Sequence, residues 1–518
     1  MHPRRQPANL PLALLAAAVA GASLALAFPD IGWWPLAFLA PGLMMWALIG
    51  RRLLSSLLVG LVGGFAFFGL LIFWLTVYLG PVPWLALAVM ESLFFALGCA
   101  AMALAWRVVP RIWPGFFGRM IALPAVLAGL WTLREAVFSV WPYGGFSWGR
   151  LAFSQSDSPF APLVAWVGVS GLSFLMAFLS AVILQAIREK SFGWAPRGVA
   201  AAAVATMLLA FPPWPTQTHG SIRVAAAQGN SNSGLLAHIN PGDALNEHLE
   251  ASIPIIGQDV DVLVWPENAA DIDPQDNPYA AQALDYITAA TKAPLVAGTI
   301  TTDSKGREFN SVLLWENGKG TVDQYDKIHP VPFAEYVPDR AFWYPLAPSL
   351  IDMVPRGYSI GQRNNVFTIK NTVAGIAICF DIVDDALISK MIDSGAQYIL
   401  APTNNADFGH SDESQQQVAI AKLRGIETSR SVVNDSTVGV SAMFAPDGTK
   451  LTGLAPFTRG AMIATIPLST TITPAMVIGR QLEWLAGGFG IAGLALGLLL
   501  RRRRGSSSSR SHERVTRR

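Results

Sequence analysis

The 518-residue chain is 52% hydrophobic and 14% charged, against about 25% charged in soluble domains, which excludes an ordinary soluble enzyme and indicates a membrane protein larger than one domain. Its net charge of +2 is uneven, because the stretch from Arg501 onward holds eight arginines against one glutamate and everything before it sums to −5. The basic balance is therefore local and no nucleic-acid footprint, and two cysteines, Cys99 in an apolar stretch and Cys379, exclude a disulfide framework.

A bilayer core is crossed by about 20 apolar residues in a helix. Eight stretches are expected to do so: Leu10 to Phe28, Trp34 to Gly50, Leu54 to Tyr78, Trp84 to Val109, Ile121 to Trp141, Phe160 to Ile187, Gly198 to Pro213 and Thr473 to Leu500. The first also has features of a signal peptide, with Arg4 and Arg5 ahead of it and Ala25-Leu26-Ala27 resembling a cleavage site. Its apolar run exceeds a typical signal core, so an uncleaved span is expected. The seventh is short and alanine-rich. Arg4/Arg5, Arg51/Arg52, Arg107 to Arg119, Arg188 to Arg197 and Arg501 to Arg504 fall in alternate loops, which places both termini in the cytoplasm and the block from Ser221 to Ile466 outside it. The expected organisation is a seven-helix transmembrane domain (1–219), an extracytoplasmic polar domain (220–470), a final transmembrane helix (471–500) and a basic, disordered cytoplasmic tail (501–518).

Within the fifth span, Arg134 and Glu135 are costly in lipid; they either serve a function or pair with each other. The following loop, WPYGGFSWGRLAF with Arg150, reads equally as an interfacial belt or as the rim of a lipid-binding cleft.

The polar block alternates two patterns. Strands are expected at Ile222 to Ala227, Val260 to Trp265, Leu295 to Ile300, Ser311 to Trp315, Val373 to Cys379, Tyr398 to Ala401, Val438 to Phe444 and Ala461 to Ile466. Helices are expected at Asp243 to Ser252, Ala280 to Thr291, Asp384 to Ser394 and Glu413 to Glu427. This alternation indicates a layered α/β domain with a largely buried sheet. The aromatic, apolar run Arg340 to Pro355 inside it is expected to be an arm that dips toward lipid headgroups, the alternative being a loop packed on the domain's own core.

Three segments end apolar runs with reactive groups: VDVLVWPEN with Glu267, YDKIHPVPFAEYVP with Lys327 and Glu335, and VAGIAICFDIVDD with Cys379. Brought together, a carboxylate, an ammonium and a thiol form a usable set, with Glu267 as base, Lys327 at an oxyanion and Cys379 attacking a carbonyl. Each residue also has an ordinary explanation, since free cysteine behaves as a buried hydrophobe and strand-end charges are usually solvated. His329 and His410 are isolated, and no metal-ligand cluster is evident.

These segments, in this order, resemble the Glu-Lys-Cys triad of the nitrilase (carbon-nitrogen hydrolase) superfamily. Bracketed by seven spans before and one after, the domain resembles the apolipoprotein N-acyltransferases. The likeness extends to GGFSWGRLAF, Gln228-Gly229-Asn230, NNADFG and RGIETSR. It implies a polytopic helical membrane domain plus a four-layer α-β-β-α sandwich, with Glu267, Lys327 and Cys379 catalytic and Glu335 supporting them. Their motif neighbours Trp265, Tyr336, Phe380 and Asp381 are expected to support the site or bind substrate. Cys379 would take an acyl chain from a membrane phospholipid as a thioester and pass it to the α-amine of a diacylglyceryl-cysteine at an apolipoprotein's N-terminus. No cofactor, metal or nucleic acid is implied, and the expected setting is a monomer in a bacterial inner membrane.

The chain departs from the family pattern in places. Phe380-Asp381 replaces Tyr-Glu, a tryptophan usual after the Gln-Gly-Asn motif is absent near Ala237, Asn405-Ala406-Asp407-Phe408-Gly409 replaces Asp-Ala-Trp-Phe-Gly, and Thr437-Val438-Gly439 replaces Asn-Thr-Gly. The pocket therefore reads as remodelled, with consequences for acyl or acceptor preference. Two other functions fit the same residues: a membrane-tethered nitrilase-type amidase or hydrolase, and a non-catalytic protein that binds lipoproteins or lipid.

Overall fold

The computed structural model describes residues 8–209, 211–231, 240–354 and 357–515, with the backbone alone at 480 and 501–515. Arg4, Arg5, Ala237 and Pro355 lie outside these residues. The chain divides into two compact units, one formed by residues 1–212 with 478–518 and the other by 213–477.

The first unit is helical: α1 (Leu10–Leu26), α2 (Leu36–Ala47), α3 (Leu53–Leu71), α4 (Leu75–Tyr78), α5 (Pro81–Ile112), α6 (Leu123–Phe138), α7 (Val164–Arg188) and α8 (Ala195–Leu209). All eight expected stretches contain apolar helix, but five helical segments rather than eight have the length and composition to cross a membrane: Leu53–Leu71, Pro81–Ile112, Gly118–Phe138, Ala161–Arg188 and Gln481–Leu500. The others are shorter, α2 having only 12 residues. The third stretch is divided because α3 stops at Ile72 and α4 restarts three residues later.

Arg134 and Glu135 do pair, at 3.2 Å. Glu135 also accepts from Trp131 Nε1 (2.8 Å) and the Leu151 amide (3.1 Å), and the Arg134 guanidinium lies over the Phe95 and Trp131 rings. The pair and the rings compensate part of the charge, while Arg134 Nε and Nη1 and Glu135 Oε2 are buried with no hydrogen-bond partner among the described residues. The second half of the Gly- and aromatic-rich loop folds inward, while Trp141 and Tyr143 at its start are exposed: Trp148 and Arg150 are buried, and Arg150 meets Ser170 and, at 3.6 Å, Glu483. Small residues let helices meet closely, and a Cβ added at Gly129 of α6 would lie 2.4 Å from the Ala486 carbonyl oxygen and 3.0 Å from Gly490 N.

The second unit carries twelve strands among its described residues: β1 (Thr218–Gln228), β2 (Val262–Val264), β3 (Leu295–Thr302), β4 (Glu308–Glu316), β5 (Gly320–Asp326), β6 (Val366–Ile369), β7 (Thr372–Ile376), β8 (Tyr398–Thr403), β9 (Ser431–Ser436), β10 (Ser441–Phe444), β11 (Lys450–Leu454) and β12 (Gly460–Ser469). They form two six-stranded sheets, ordered β12-β1-β2-β3-β4-β5 and β11-β10-β9-β8-β7-β6. Its helices are α9 (Asp243–Ser252), α10 (Pro278–Thr291), α11 (Arg340–Trp343), α12 (Pro348–Ile351), α13 (Asp385–Asp393) and α14 (Glu413–Thr428). A last helix, α15 (Pro474–Val515), begins in this unit and continues into the first, and among the described residues its backbone is helical over 501–515, within the tail expected to be disordered.

One apolar core joins the sheets face to face, with Val224, Val262 and Leu314 from the first and Ile376, Leu400 and Val433 from the second. Another joins the first sheet to α9 and α10 through Leu245, Leu263, Trp265 and Ile287. Across α14, Val418 meets Ala442 and Phe444 of the second sheet. Both faces of each sheet are thus covered, giving the four-layer α-β-β-α order, and alternate residues of a strand enter different cores.

Candidate active site

Glu267 follows β2 after Pro266 and lies across β3 at Gly298. A Cβ there would meet the Pro266 carbonyl oxygen at 2.3 Å and Glu267 Cα at 2.6 Å, so glycine permits this crossing. Lys327 follows β5 directly, its amide donating to Asn310 O of neighbouring β4 (2.8 Å). These two strand ends converge with the loop that carries Glu335. Lys327 Nζ lies 2.9 Å from Glu335 Oε2 and 3.5 Å from Glu267 Oε1, all three side chains being almost fully buried. Asn310 Nδ2 donates to Glu267 Oε1 (2.7 Å) and to Glu335 Oε1 (2.6 Å). Backbone amides complete the carboxylates, Asn404 N to Glu267 (2.9 Å) and Val331 N to Glu335 (2.6 Å).

Strand β7 stops at Ile376, three residues short of the thiol. Cys379 takes a left-handed backbone (φ +50°) and opens a 3-10 turn, Cys379–Val383, so it sits on a bend rather than at the last position of a strand. Such strain in a non-glycine residue is found where the surroundings impose it. Asp381 supplies one restraint, its Oδ2 accepting from Ile378 N (3.1 Å) and Tyr325 OH (2.9 Å). Arg424 of α14 supplies another, donating to the Ile382 and Val383 carbonyls at 2.9 Å each. The half-buried thiol accepts from Gln417 Nε2 at 3.3 Å, and both Glu267 and Lys327 act on it electrostatically.

The electrostatics follow from burial. Burial alone would pull the Lys327 ammonium down, but Glu335 and Glu267 hold it well above its ordinary value. Burial raises Glu267, with Lys327 and Asn310 opposing and Glu335 adding to the rise. Burial and the Glu267 charge push the Cys379 thiol up, against Lys327. The resting thiol is therefore protonated, and its proton leaves during attack, with Glu267 the neighbouring carboxylate to take it.

Residues 20–182 match the apolipoprotein N-acyltransferase N-terminal domain, and residues 223–473 match the carbon-nitrogen hydrolase domain. An apolipoprotein N-acyltransferase of Mycolicibacterium smegmatis is 31% identical over 94% of this chain and 85% of its own length. The chain belongs to the apolipoprotein N-acyltransferase family. Another member, from Photobacterium profundum, is 27% identical over 95% of both chains. A crystal structure of an amidase from Nesterenkonia sp. aligns at a TM-score of 0.37 and 16% identity, over 49% of this chain and 92% of that one. The two family domains fall one in each unit, so membership extends over the membrane helices as well as the sandwich.

Glu267, Lys327, Glu335 and Cys379 are thus brought together, with Asp381 beneath the thiol's turn. Trp265 is not. It is fully buried on the α9–α10 side of the first sheet, donates Nε1 to Ser252 Oγ (2.8 Å) and packs on His248. Strand parity explains the correction: Val264 enters the core between the sheets, so its neighbour Trp265 must enter the other one. Tyr336 shares the Glu335 turn, bridged through its backbone to Pro332, and Phe380 is half-buried beside the thiol. His329 forms an ion pair with Asp384, and His410 lies against the Phe457 ring. Sequence reasoning singled out Asn405 as a departure in the pocket but missed Asn310, Thr403, Glu413 and Gln417. A polar residue within the apolar strand β4 was the one available sign for Asn310.

Proposed function

We propose that Cys379, Glu267 and Lys327 carry the family's acyl transfer in this chain, from a membrane phospholipid to the N-terminal diacylglyceryl-cysteine amine of an apolipoprotein. The observation that carries this reading is a half-buried thiol under the influence of a buried carboxylate and of a buried ammonium that lies 3.5 Å from that carboxylate. In the first half-reaction the sulfur attacks the ester carbonyl while Glu267 takes the thiol proton, and Lys327 meets the charge on the oxygen. The carbon–oxygen bond then breaks, Glu267 returns the proton to the leaving lysophospholipid, and a thioester remains. In the second, the amine attacks the thioester, Glu267 takes a proton from nitrogen, the carbon–sulfur bond breaks, and Glu267 returns that proton to the sulfur, restoring the thiol.

Glu335 and Asn310 fix Lys327 and Glu267 at the required separation. The exposed apolar side chains Phe342, Tyr344, Leu346 and Met353 support a lipid-facing role for the arm, which holds short helices α11 and α12. Arginines in alternate loops support cytoplasmic termini and an extracytoplasmic site, and the division of the chain at 212/213 and 477/478 supports domain limits near 219 and 470.

Intact mass spectrometry after incubation with phospholipid tests the proposal. A mass gain of one acyl chain, labile to hydroxylamine and absent from Cys379→Ala, is expected. Transfer of the label to a diacylglyceryl peptide, not to water, is expected next. An adduct that persists in Cys379→Ala would remove the thiol from the mechanism.

A further inference from the structure

We propose that Gln417 is an N–H donor to the Cys379 sulfur, and that Asn405 and Glu413 are positioning residues that hold it in that orientation. The inference rests on Cys379 being the nucleophile. A primary amide has an accepting end and a donating end, and its neighbours decide which way it faces. Gln417 Oε1 accepts from Thr403 Oγ1 (2.8 Å) and Asn405 Nδ2 (2.7 Å), so its NH2 group faces Sγ at 3.3 Å. Asn405 is fixed in the same manner. Its Nδ2 also donates to Glu413 Oε2 (2.6 Å), while Ser436 Oγ donates to its Oδ1 (2.5 Å) and itself accepts from Gly439 N (2.8 Å). Turning either amide would set donor against donor and leave the buried Glu413 carboxylate with no N–H. With Glu413 Oε2 as the acceptor that terminates the chain, each amide between it and the sulfur keeps one orientation.

The framework explains why these residues can meet. Glu413 and Gln417 are one helical turn apart at the start of α14, so they share a face, and Thr403 and Asn405 come off the end of β8 toward it. Gly439 leaves the room: a Cβ there would lie 2.3 Å from Asn405 Oδ1. An aspartate at position 405, the residue of the family pattern, would have no N–H for either partner and would set a second carboxylate beside Glu413. Asn405, Glu413 and Gln417 are therefore a matched set.

The titratable groups facing the thiol are Glu267 after β2, Lys327 after β5 and Glu413 on α14, with Asp381 acting beyond Lys327. Glu413 keeps its proton up to about pH 8, so Glu267 and Lys327 oppose each other at the sulfur and a neutral donor there adds to the side of Lys327. It acts twice, when Glu267 takes the thiol proton and again when the amine expels the sulfur. In both steps the bonds made and broken are unchanged; the N–H bears part of the charge on sulfur.

The test follows the rate at which iodoacetamide alkylates Cys379 across pH in the detergent-solubilised full chain, resolved from Cys99 by peptide mass. Gln417→Leu is expected to slow alkylation at pH 8 about tenfold, as for loss of a hydrogen bond to a charged group, and to move the half-maximal rate to higher pH. The isosteric Asn405→Asp is expected to move it in the same direction, and it decides the matter where Gln417→Leu does not fold. Profiles that superimpose on the parent's, while Cys379→Ala still loses the acyl adduct, overturn the inference and leave the nucleophile standing. An adduct retained in Cys379→Ala overturns the reading on which both rest.

Discussion

Asp381, pushed up to about 7, and Glu413, pushed up to about 8, are both raised first by burial, and both keep protons that an unfolded chain has released well below neutrality. A carboxyl whose folded value lies above its unfolded one stabilises the fold below the unfolded value, and that contribution is lost as pH rises through the folded value. His248, drawn down to about 4 by burial, works in the opposite sense, but only between there and its ordinary 6.5. From about pH 6.5 to 8.5 the two raised carboxyls are therefore unopposed by it, and the melting temperature of the protein in detergent is expected to fall across that window. Asp381→Asn, which keeps an acceptor for Tyr325 and Ile378 and has nothing to titrate, is expected to flatten the slope. A midpoint that climbs from pH 6.5 to 8.5 contradicts the assignment. The residues that could be read in advance are those whose chemistry is rare in an apolar run, such as Glu267 and Cys379. Gln417 could not, because an amide looks the same whether it aims at sulfur or at water.

At the level of elements, the patterns that were visible are those with one apolar face or two. Helix α9 was legible to its end residues, and β3 and β8 are apolar enough to declare themselves. Strand β9 did not, because Ser431, Asn434, Asp435 and Ser436 make four of its six residues polar, yet all six are buried. Two of those side chains are satisfied by specific partners, Asn434 by the Val440 carbonyl at 2.8 Å and Ser436 by Asn405, and such partners are invisible without the fold. Edge strands β6 and β11 escaped because they are short and half-exposed. The crossing of the Glu267 segment over β3 gives an element-scale prediction. Gly298→Ala places a methyl against backbone on that segment, which cannot swing away as a side chain would. Acyl transfer is expected to drop by at least about tenfold and stability by roughly 1–3 kcal/mol, measured by turnover and by thermal unfolding. Unchanged turnover would show that the segment can yield, and that Glu267 is held by its hydrogen bonds alone.

For the molecule as a whole, the order of the chain is as informative as its contacts. The helical unit is made from two separated pieces, with about 265 residues of the other unit between them. The pieces meet where α6 and α15 approach through Gly129 and Gly490, a contact with no space for a side chain. Gly490→Leu is expected to separate these helices and to lower the melting temperature of the protein in detergent, while the iodoacetamide reactivity of Cys379 persists. Loss of both together would mean that the helical unit cannot be perturbed separately.

That divided helical unit also has a consequence for how the protein is made. A ribosome adding about 5–20 residues per second needs roughly 13–50 s to pass through the intervening sequence before the last helix exists. Throughout that interval the groove at Gly129 has no partner from its own chain. Lipid tails or an insertion factor must occupy it, and α15 completes the bundle by displacing whatever has waited there.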